Sequence, residues 1–442
     1  LSTFVKPLFN KPIAEDYLNA AKIAADWLLA SALKSSEGYF WQDSKLGKLS
    51  VYGGNAGIVN FLLHIAKVTG DESYLDGAIQ GSRFIINQWN DGKELPTYGD
   101  VYNSQWCFYN GATGIAFTLN EVAKFSGEQE FQDFATNIIN ETINAAIETE
   151  SGPKWTGDTG VFFDSGIVLF LLYAAKEYKK AEWLEFAVRA GDRILKQGVA
   201  IHNSGTKWPN VNPAVLGLPE GSEIPNFFYG TSGVAYTMAR LFEESNKGQF
   251  LEAALEGAKY IRSIATVKEN NILIPYSLPH YKDTYYLGLC HGAVGTARLF
   301  YQLYKVTGDT HHKEFVDGLV AGILSTGAPE LHSPGYWNVT CQCCGSAGMS
   351  NLFIGVWADT KDSTYLDYAA RVGDHLLSEI VSDSEGTRWY QAWNRTEPWN
   401  VATKMGFFDG TAGNASELLH IYLAKKGEFD VYRLPDDPFL NK

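Results

Sequence analysis

Gly54-Asn55-Ala56-Gly57-Ile58-Val59-Asn60-Phe61-Leu62-Leu63-His64-Ile65-Ala66 decides the fold, because its opening tetrad recurs. Gly-x-x-Gly followed by an apolar stretch returns at Gly111–Gly114, Gly230–Gly233, Gly292–Gly295, Gly345–Gly348 and Gly410–Gly413. A degenerate copy, Phe163-Asp164-Ser165-Gly166, fills the remaining gap and makes seven. Successive second glycines stand 57, 52, 67, 62, 53 and 65 residues apart. Self-similarity at such a period marks a repeat array, each unit one helix pair and a variable loop.

Working outward from each motif, the first helix of a unit is apolar nearly all round, as in Leu169-Phe170-Leu171-Leu172, which marks a buried helix. It breaks at a short polar turn such as Thr69-Gly70-Asp71, Ser126-Gly127-Glu128 or Thr307-Gly308-Asp309, where an Asp or Ser can cap the next helix. The second helices are amphipathic, as from Glu72 to Trp89, Leu251 to Ile264 and Tyr365 to Ile380. An amphipathic helix from about Ala14 to Leu33 precedes the first motif without a partner. A buried helix from about Thr411 to Ala424 follows the last motif, also without one. The two ends complete each other only if the array closes. The expectation is therefore an all-α, α/α toroid of seven helical hairpins, with fourteen helices in two concentric layers and a single domain spanning 1–442. Short strands are expected only in long loops such as 198–226 and 267–286. A closed ring also accommodates a chain of 442 residues, longer than one compact core usually serves, because each unit needs only its neighbours. The motif glycines are expected to let the inner helices' backbones approach at their N-terminal ends.

Composition excludes several classes. The chain is 45% hydrophobic and 19% charged, in the globular range. Its net charge of −14, with no basic run, argues against nucleic acid. No apolar stretch reaches the ~18 residues of a membrane span. Five cysteines, three of them in Cys341-Gln342-Cys343-Cys344, suit a metal better than a disulfide framework and favour a reducing, cytoplasmic setting. A monomer is the expected state.

The residues just before each first glycine form the mouth of the inner ring: Gly53, Asn110, Phe162, Tyr229, His291, Cys344 and Asp409. Function is expected on this rim. Two consecutive repeats bring thiols there, in Gly288-Leu289-Cys290-His291-Gly292 and Cys341-Gln342-Cys343-Cys344-Gly345. Cys290, Cys343 and Cys344 can give Zn²⁺ three thiolates and leave a fourth position open; Cys341 or His291 as fourth ligand would make the site structural. Buried reduced thiols acting as small hydrophobes are the alternative, and Cys107 is read that way.

The seven glycine motifs, the Cys-His-Gly of the fifth repeat and the Cys-Cys-Gly of the sixth resemble the LanC-like family, the lanthionine synthetase cyclases. The resemblance covers nearly the whole chain and implies the same α/α toroid. It implies zinc, addition of a cysteine thiol to dehydroalanine or dehydrobutyrine, and a thioether product. A dehydrated precursor peptide is the implied substrate; relatives instead couple glutathione, a small thiol, to dehydro residues. The first zinc cysteine of the family matches Cys290, and its second motif, usually Cys-His-Gly, here reads Cys343-Cys344-Gly345, as in a three-cysteine branch. The family's catalytic Asp matches Asp158, five residues before Phe163. Its histidine before the fourth glycine motif is here Tyr229, and its arginine four residues before the first zinc cysteine is here Tyr286.

Thiol addition leaves an enolate that must be protonated, and a histidine near its ordinary pKa suits that task. His291 is the first candidate, with a carboxylate such as Asp158 expected beside the imidazole; Tyr229, Asp158 and Asp409 follow. Asp164 is read as a helix N-terminal residue complementing the dipole. A toroidal glycosidase or sugar epimerase is the competing class, with Asp158 and Asp409 as facing carboxylates and Trp106, Trp155, Trp208, Trp337 and Trp399 as sugar platforms. That scheme has no use for the cysteines. A zinc-containing member that binds a peptide without turnover is the third.

Overall fold

The computed structural model describes residues 11–42, 48–90, 104–209, 213–429 and 432–439. Each glycine motif starts a buried helix: α2 (Asn55–Thr69), α4 (Ala112–Ser126), α6 (Asp164–Glu177), α8 (Thr231–Ser245), α10 (Ala293–Thr307), α12 (Ser346–Thr360) and α14 (Thr411–Lys425). Between them run the amphipathic helices α1 (Ala14–Ser31), α3 (Glu72–Asn90), α5 (Gln129–Asn144), α7 (Ala181–Lys196), α9 (Gly248–Ile264), α11 (Thr310–Ser325) and α13 (Ser363–Ser378). Sequence explains the division. Every residue of α2 from Asn55 to Ala66 is buried, whereas α7 buries one stripe including Trp183, Ala187, Ala190 and Ile194. The turns behave as their composition requires. Gly70, Gly127 and Gly308 close inner helices in the left-handed region, and Asp71 and Asp309 accept the amides of Ser73 and His311 as the outer helices begin.

The ring closes. Each inner helix packs on two inner neighbours, α14 against α2 among them, and α1 lies along α14 as α3 lies along α2. The motif glycines record the same cycle. A Cβ built on Gly114 would stand 2.8 Å from Val51 Cγ2, on Gly233 2.6 Å from Val161 Cγ2, and on Gly57 2.8 Å from Phe407 Cβ. Each glycine thus faces a side chain of the preceding repeat, and the first faces the last. The tighter constraint is local, however. Such a Cβ would lie 1.8 Å from the Phe227 carbonyl oxygen at Gly233 and 1.7 Å from that of Phe407 at Gly413, six residues earlier in each case. The glycines therefore make room chiefly for the rim segment leading into their own helix, not for the backbone of a neighbouring inner helix as expected from sequence.

Those rim segments are joined by backbone hydrogen bonds around the mouth. Tyr52 N–H donates to Tyr109 O, Phe162 to Phe228, Phe228 to Cys290, Cys290 to Cys343, Cys343 to Phe408, and Phe408 back to Tyr52, at 2.8 to 3.1 Å.

Strands are short and lie in the connections. Antiparallel hairpins follow outer helices: β1 (Leu33–Ser35) with β2 (Gly38–Phe40), β3 (Ile147–Thr149) with β4 (Gly152–Lys154), β5 (Val199–Ile201) with β6 (Gly205–Lys207), and β7 (Thr266–Lys268) with β8 (Asn271–Leu273). A two-residue parallel pair, β9 (Tyr285–Tyr286) and β10 (Tyr336–Trp337), ties two connections together. The seventh repeat carries the largest sheet, β11 (Ile380–Asp383), β12 (Gly386–Ala392) and β13 (Val401–Thr403). Four hairpins are pinned alike, with Trp41, Trp155, Trp208 and Trp389 donating their indole N–H to carbonyls of the outer helix just before, at 2.7 to 2.8 Å.

After α14 the chain turns back into the ring. Asp436 pairs with Arg298 at 2.8 Å and accepts the Tyr109 hydroxyl at 2.8 Å. Tyr432 donates to Asn60, Lys305 donates to Pro438 O, and Phe439 packs on Tyr301 and against Gly355. Residues 432–439 thus occupy the axis of the inner layer. No helix among the described residues is long and apolar enough to cross a membrane.

Candidate metal centre

Equivalent positions around the hydrogen-bonded mouth are held by Tyr52, Tyr109, Phe162, Phe228, Cys290, Cys343 and Phe408. The five aromatic rings pack on one another, with centroids 4.5 Å apart for Tyr109 and Phe228, 5.1 Å for Tyr109 and Phe408, and 5.5 Å for Phe162 and Phe228. The two sulfurs interrupt this apolar iris side by side. The Cys344 sulfur joins them, 3.2 Å from that of Cys290 and 3.6 Å from that of Cys343, so that all three lie within 4.8 Å of one another. Gly288 makes this possible, since a Cβ there would stand 2.3 Å from the Cys344 carbonyl carbon. Cys341 lies outside the group, its sulfur accepting the Cys344 amide at 3.5 Å.

Two glutamines hold the cysteine loop. Gln391 Oε1, on β12, accepts from the amides of Thr340 and Cys341 and from the Thr340 hydroxyl at 2.9 to 3.2 Å. From the barrel side, Gln342 Nε2 donates to Gly413 O and to the buried Glu417 carboxylate, each at 3.2 Å. Burial raises the Glu417 carboxyl to about 7.

The three thiols are electrostatically unequal. Against the desolvation imposed by burial, hydrogen bonds from Cys290, Cys344 and Tyr52 bring Cys343 well below the usual thiol range. Burial first, then its Cys343 neighbour, pushes Cys290 up; the hydrogen bonds of Cys344 to the other cysteines raise it too. The cluster thus favours one shared negative charge among its sulfurs, and a divalent ion would release the remaining protons.

His291 follows a cluster cysteine and is walled by aromatic rings. Tyr229 stacks on it at 5.2 Å, and Tyr276 and Tyr286 meet it edge-on at 5.2 and 5.5 Å. Burial lowers its pKa to about 4, opposed by the Cys343 charge, and its Nδ1 is buried without a hydrogen-bond partner. The carboxylate expected beside the imidazole is not among the groups that shift it. Asp158 instead sits in the third-repeat loop and accepts the Gly160 amide at 2.9 Å. Asp409 is buried and paired with Lys404 at 3.1 Å, and its charge, with those of the three cysteines, acts on Tyr52.

Other expectations resolve into structure. Asp164, the first residue of α6, accepts from Thr156 and Gly157 and pairs with Arg193 at 3.2 Å, knotting a hairpin to two helices. Cys107 is buried and its thiol pKa is raised by desolvation, as a small hydrophobe's would be. Trp155 and Trp208 are not sugar platforms: both are enclosed, with their indole N–H groups spent on helix carbonyls. Sequence reasoning missed Tyr52, Gln342 and Gln391. Tyr52 was within reach, because it stands one residue before Gly53 just as Cys343 stands one before Cys344; Gln391 had no local signal.

The donor set suits zinc. Sulfurs on a tetrahedral zinc with ~2.3 Å bonds sit about 3.8 Å apart, close to the spacings found here.

No curated protein matches the chain in sequence. Among solved structures, nisin cyclase shares the fold, with a TM-score of 0.63 at 14% identity over 92% of this chain and 94% of that one. An inactive variant of an α-1,6-mannanase from Salegentibacter sp. HEL1_6 aligns with a TM-score of 0.48 at 13% identity, over 93% of this chain and all of that one. An unsaturated glucuronyl hydrolase specific for heparin aligns with a TM-score of 0.48 at 11% identity, over 93% and 98%. The profile of the lanthionine synthetase C-like protein matches residues 102–330, just over half the chain, and the chain belongs to that family.

Proposed function

We propose that this protein is a zinc-dependent enzyme that adds a cysteine thiol of a peptide to a dehydroalanine or dehydrobutyrine residue, forming a thioether. The observation that carries the reading is the meeting of three sulfurs from two consecutive repeats within 4.8 Å, on a ring whose other equivalent positions are aromatic. A zinc ion held by Cys290, Cys343 and Cys344 would supply an open position at which the substrate sulfur is kept as thiolate near neutral pH.

The chain's own residues supply the rest. The aromatic rings packed beside the cysteines give the site a largely apolar wall. In the reaction the sulfur lone pair forms the bond to the β-carbon, and the C=C π electrons move onto the carbonyl oxygen. The α-carbon of that enolate then takes a proton, so S–H has been added across the double bond. We take His291, walled by Tyr229, Tyr276 and Tyr286, as the group that would accept the thiol proton and return it to the α-carbon, although burial lowers its pKa instead of leaving it near the ordinary value expected from sequence. The Lys404–Asp409 pair lies near enough to Tyr52 for the Asp409 charge to act on its phenol.

The test is zinc content and turnover on a synthetic peptide bearing one dehydroalanine and one cysteine. Wild type should carry one zinc and form the thioether; Cys343→Ala should lose both, and Cys341→Ala neither. His291→Asn should keep the zinc and slow addition by roughly 10²–10⁴-fold. Zinc without addition of any thiol in the wild type would reduce the protein to a zinc-containing peptide binder.

A further inference from the structure

Between the loop that leads into the cysteines and the β12–β13 sheet lies a cleft of about 690 Å³, within the ~300–1,000 Å³ typical of ligand sites. Its floor includes Asn338 and Thr340, the latter adjoining Cys341, so the cleft opens onto the cysteine loop itself. Its surroundings are unusually apolar for a surface. Trp399 is 76% exposed, Leu331 61% and Val401 54%, each on a segment that borders the cleft. Apolar groups rimming a cleft mark a surface that is covered in use.

Arg395, on the turn between β12 and β13, is the cation of this cleft without a counter-ion. Among the described residues it makes no ion pair, and its Nε is buried with no hydrogen-bond partner. Its guanidinium rests over the Tyr281 and Tyr276 rings at 5.1 and 6.0 Å. Tyr276 in turn stacks on Tyr286 at 4.3 Å, and both rings meet His291 edge-on. At both phenols the charge of Arg395 opposes those of Cys290 and Cys344, so both rings lie within electrostatic reach of the guanidinium and of the sulfurs. A part-buried guanidinium that rests on two rings and lines a cleft, with no counter-ion among the described residues, is preorganised for a two-pronged anion.

We infer that this cleft is a subsite for the substrate peptide and that Arg395 receives a carboxylate of that peptide, directing the neighbouring thiol toward the cysteine cluster. The proposal rests on the reading of the cluster as the place where a peptide thiol is bound. The carboxylate has two sources, the peptide's C-terminus or an acidic side chain, and the chemistry of recognition is the same for both.

The test uses the zinc-loaded full chain and fluorescein-labelled pentapeptides, each with one cysteine, read by fluorescence anisotropy. One peptide ends in a free carboxylate, one is amidated and carries a glutamate, and one is amidated with glutamine in its place. At least one carboxylate peptide should bind roughly tenfold more tightly than the neutral one. Arg395→Gln should erase that advantage at unchanged zinc content and melting temperature, and Arg395→Lys should restore part of it. An advantage confined to the free terminus identifies a chain-end reader, and one confined to glutamate a side-chain reader; both support the subsite. Equal binding of all three by wild type, or an advantage that survives in Arg395→Gln, overturns it. The same series with serine for cysteine separates this proposal from the thiol reading. The carboxylate advantage should persist there, whereas an equal affinity of serine and cysteine peptides would count against the cluster as a thiol site and leave Arg395 standing.

Discussion

Replacing Gly288 by alanine tests the cysteine cluster without touching a sulfur. Gly288 is not in the left-handed region, so alanine brings no backbone strain there and the effect is purely one of space. The new methyl would start 2.3 Å from the Cys344 carbonyl carbon, 2.7 Å from its Cα and 2.7 Å from the Gly345 nitrogen. Carbon atoms rest at about 3.5–4.0 Å, so the two rim segments must part by roughly 1 Å or more. Both sides are backbone, and neither can rotate away. The displacement falls on the Cys290–Cys344 sulfur pair, now 3.2 Å apart, and exceeds the ~0.2 Å tolerance of a zinc–sulfur bond. Overpacking of this kind costs about 1–3 kcal/mol in stability. Zinc affinity should fall by at least the ~10–100-fold seen when supporting contacts of a metal site are removed. Competition with a chromophoric chelator measures the affinity, and a thermal melt of the zinc-free protein measures the stability. An alanine variant that holds zinc as tightly as wild type would refute the geometry from which the centre is drawn.

Three further outcomes follow from the packing. Glu417 holds its proton up to about pH 7 in the fold, against an ordinary 4.5, so stability should fall as pH rises through that window, by roughly 3 kcal/mol from this group. Glu417→Gln, which mimics the protonated form, should match wild type in urea unfolding near pH 4.5 and exceed it near pH 8; a variant weaker at pH 8 contradicts this. Asp436→Ala leaves Arg298 buried without its carboxylate and should cost about 3–5 kcal/mol, read as a lower urea midpoint, and an unchanged midpoint would mean the tail does not hold the axis. Gly233→Ala should prevent stable folding because its methyl meets the Phe227 carbonyl, while Gly248→Ala, with open space around it, should be tolerated; equal expression and melting of the two would contradict the rim packing.

How much of this was legible in the chain depends on whether a signal repeats. Seven glycine motifs at similar spacing fix seven inner helices, and the unpartnered 14–33 and 411–424 segments force closure by counting alone. The cysteine trio was legible for the same reason, since Cys290 and Cys343 stand at like places in consecutive repeats, with Cys344 next in the chain. Unrepeated features stayed hidden. Asp436 meets Arg298 from 138 residues away, and Gln391 reaches Thr340 from 51 residues away, with nothing local to announce either. The tail segment Arg433-Leu434-Pro435-Asp436-Asp437-Pro438 reads as a polar loop, and only partners on several inner helices make its burial possible. The aromatic iris was overlooked for a different reason. Tyr52, Tyr109, Phe162, Phe228 and Phe408 look like ordinary core residues until closure brings five of them to one axis.

Closure also sets a schedule for biosynthesis. Helix α1 finds its inner partner in α14, which begins 380 residues after α1 ends. A ribosome adding ~5–20 residues per second needs roughly 20–80 s to cover that distance. Throughout that time Tyr17, Ala21, Ala24 and Leu28, all buried in the finished ring, await the later repeats, and the axis lacks the tail that will fill it. Early repeats can stack as they emerge, but the first edge must wait until α14 and the segment after it have been made. The nascent chain is therefore an incomplete arc with two sticky ends. Conditions that slow translation should lengthen its dependence on holding chaperones, and two such arcs meeting end to end offer a direct route to exchanged dimers.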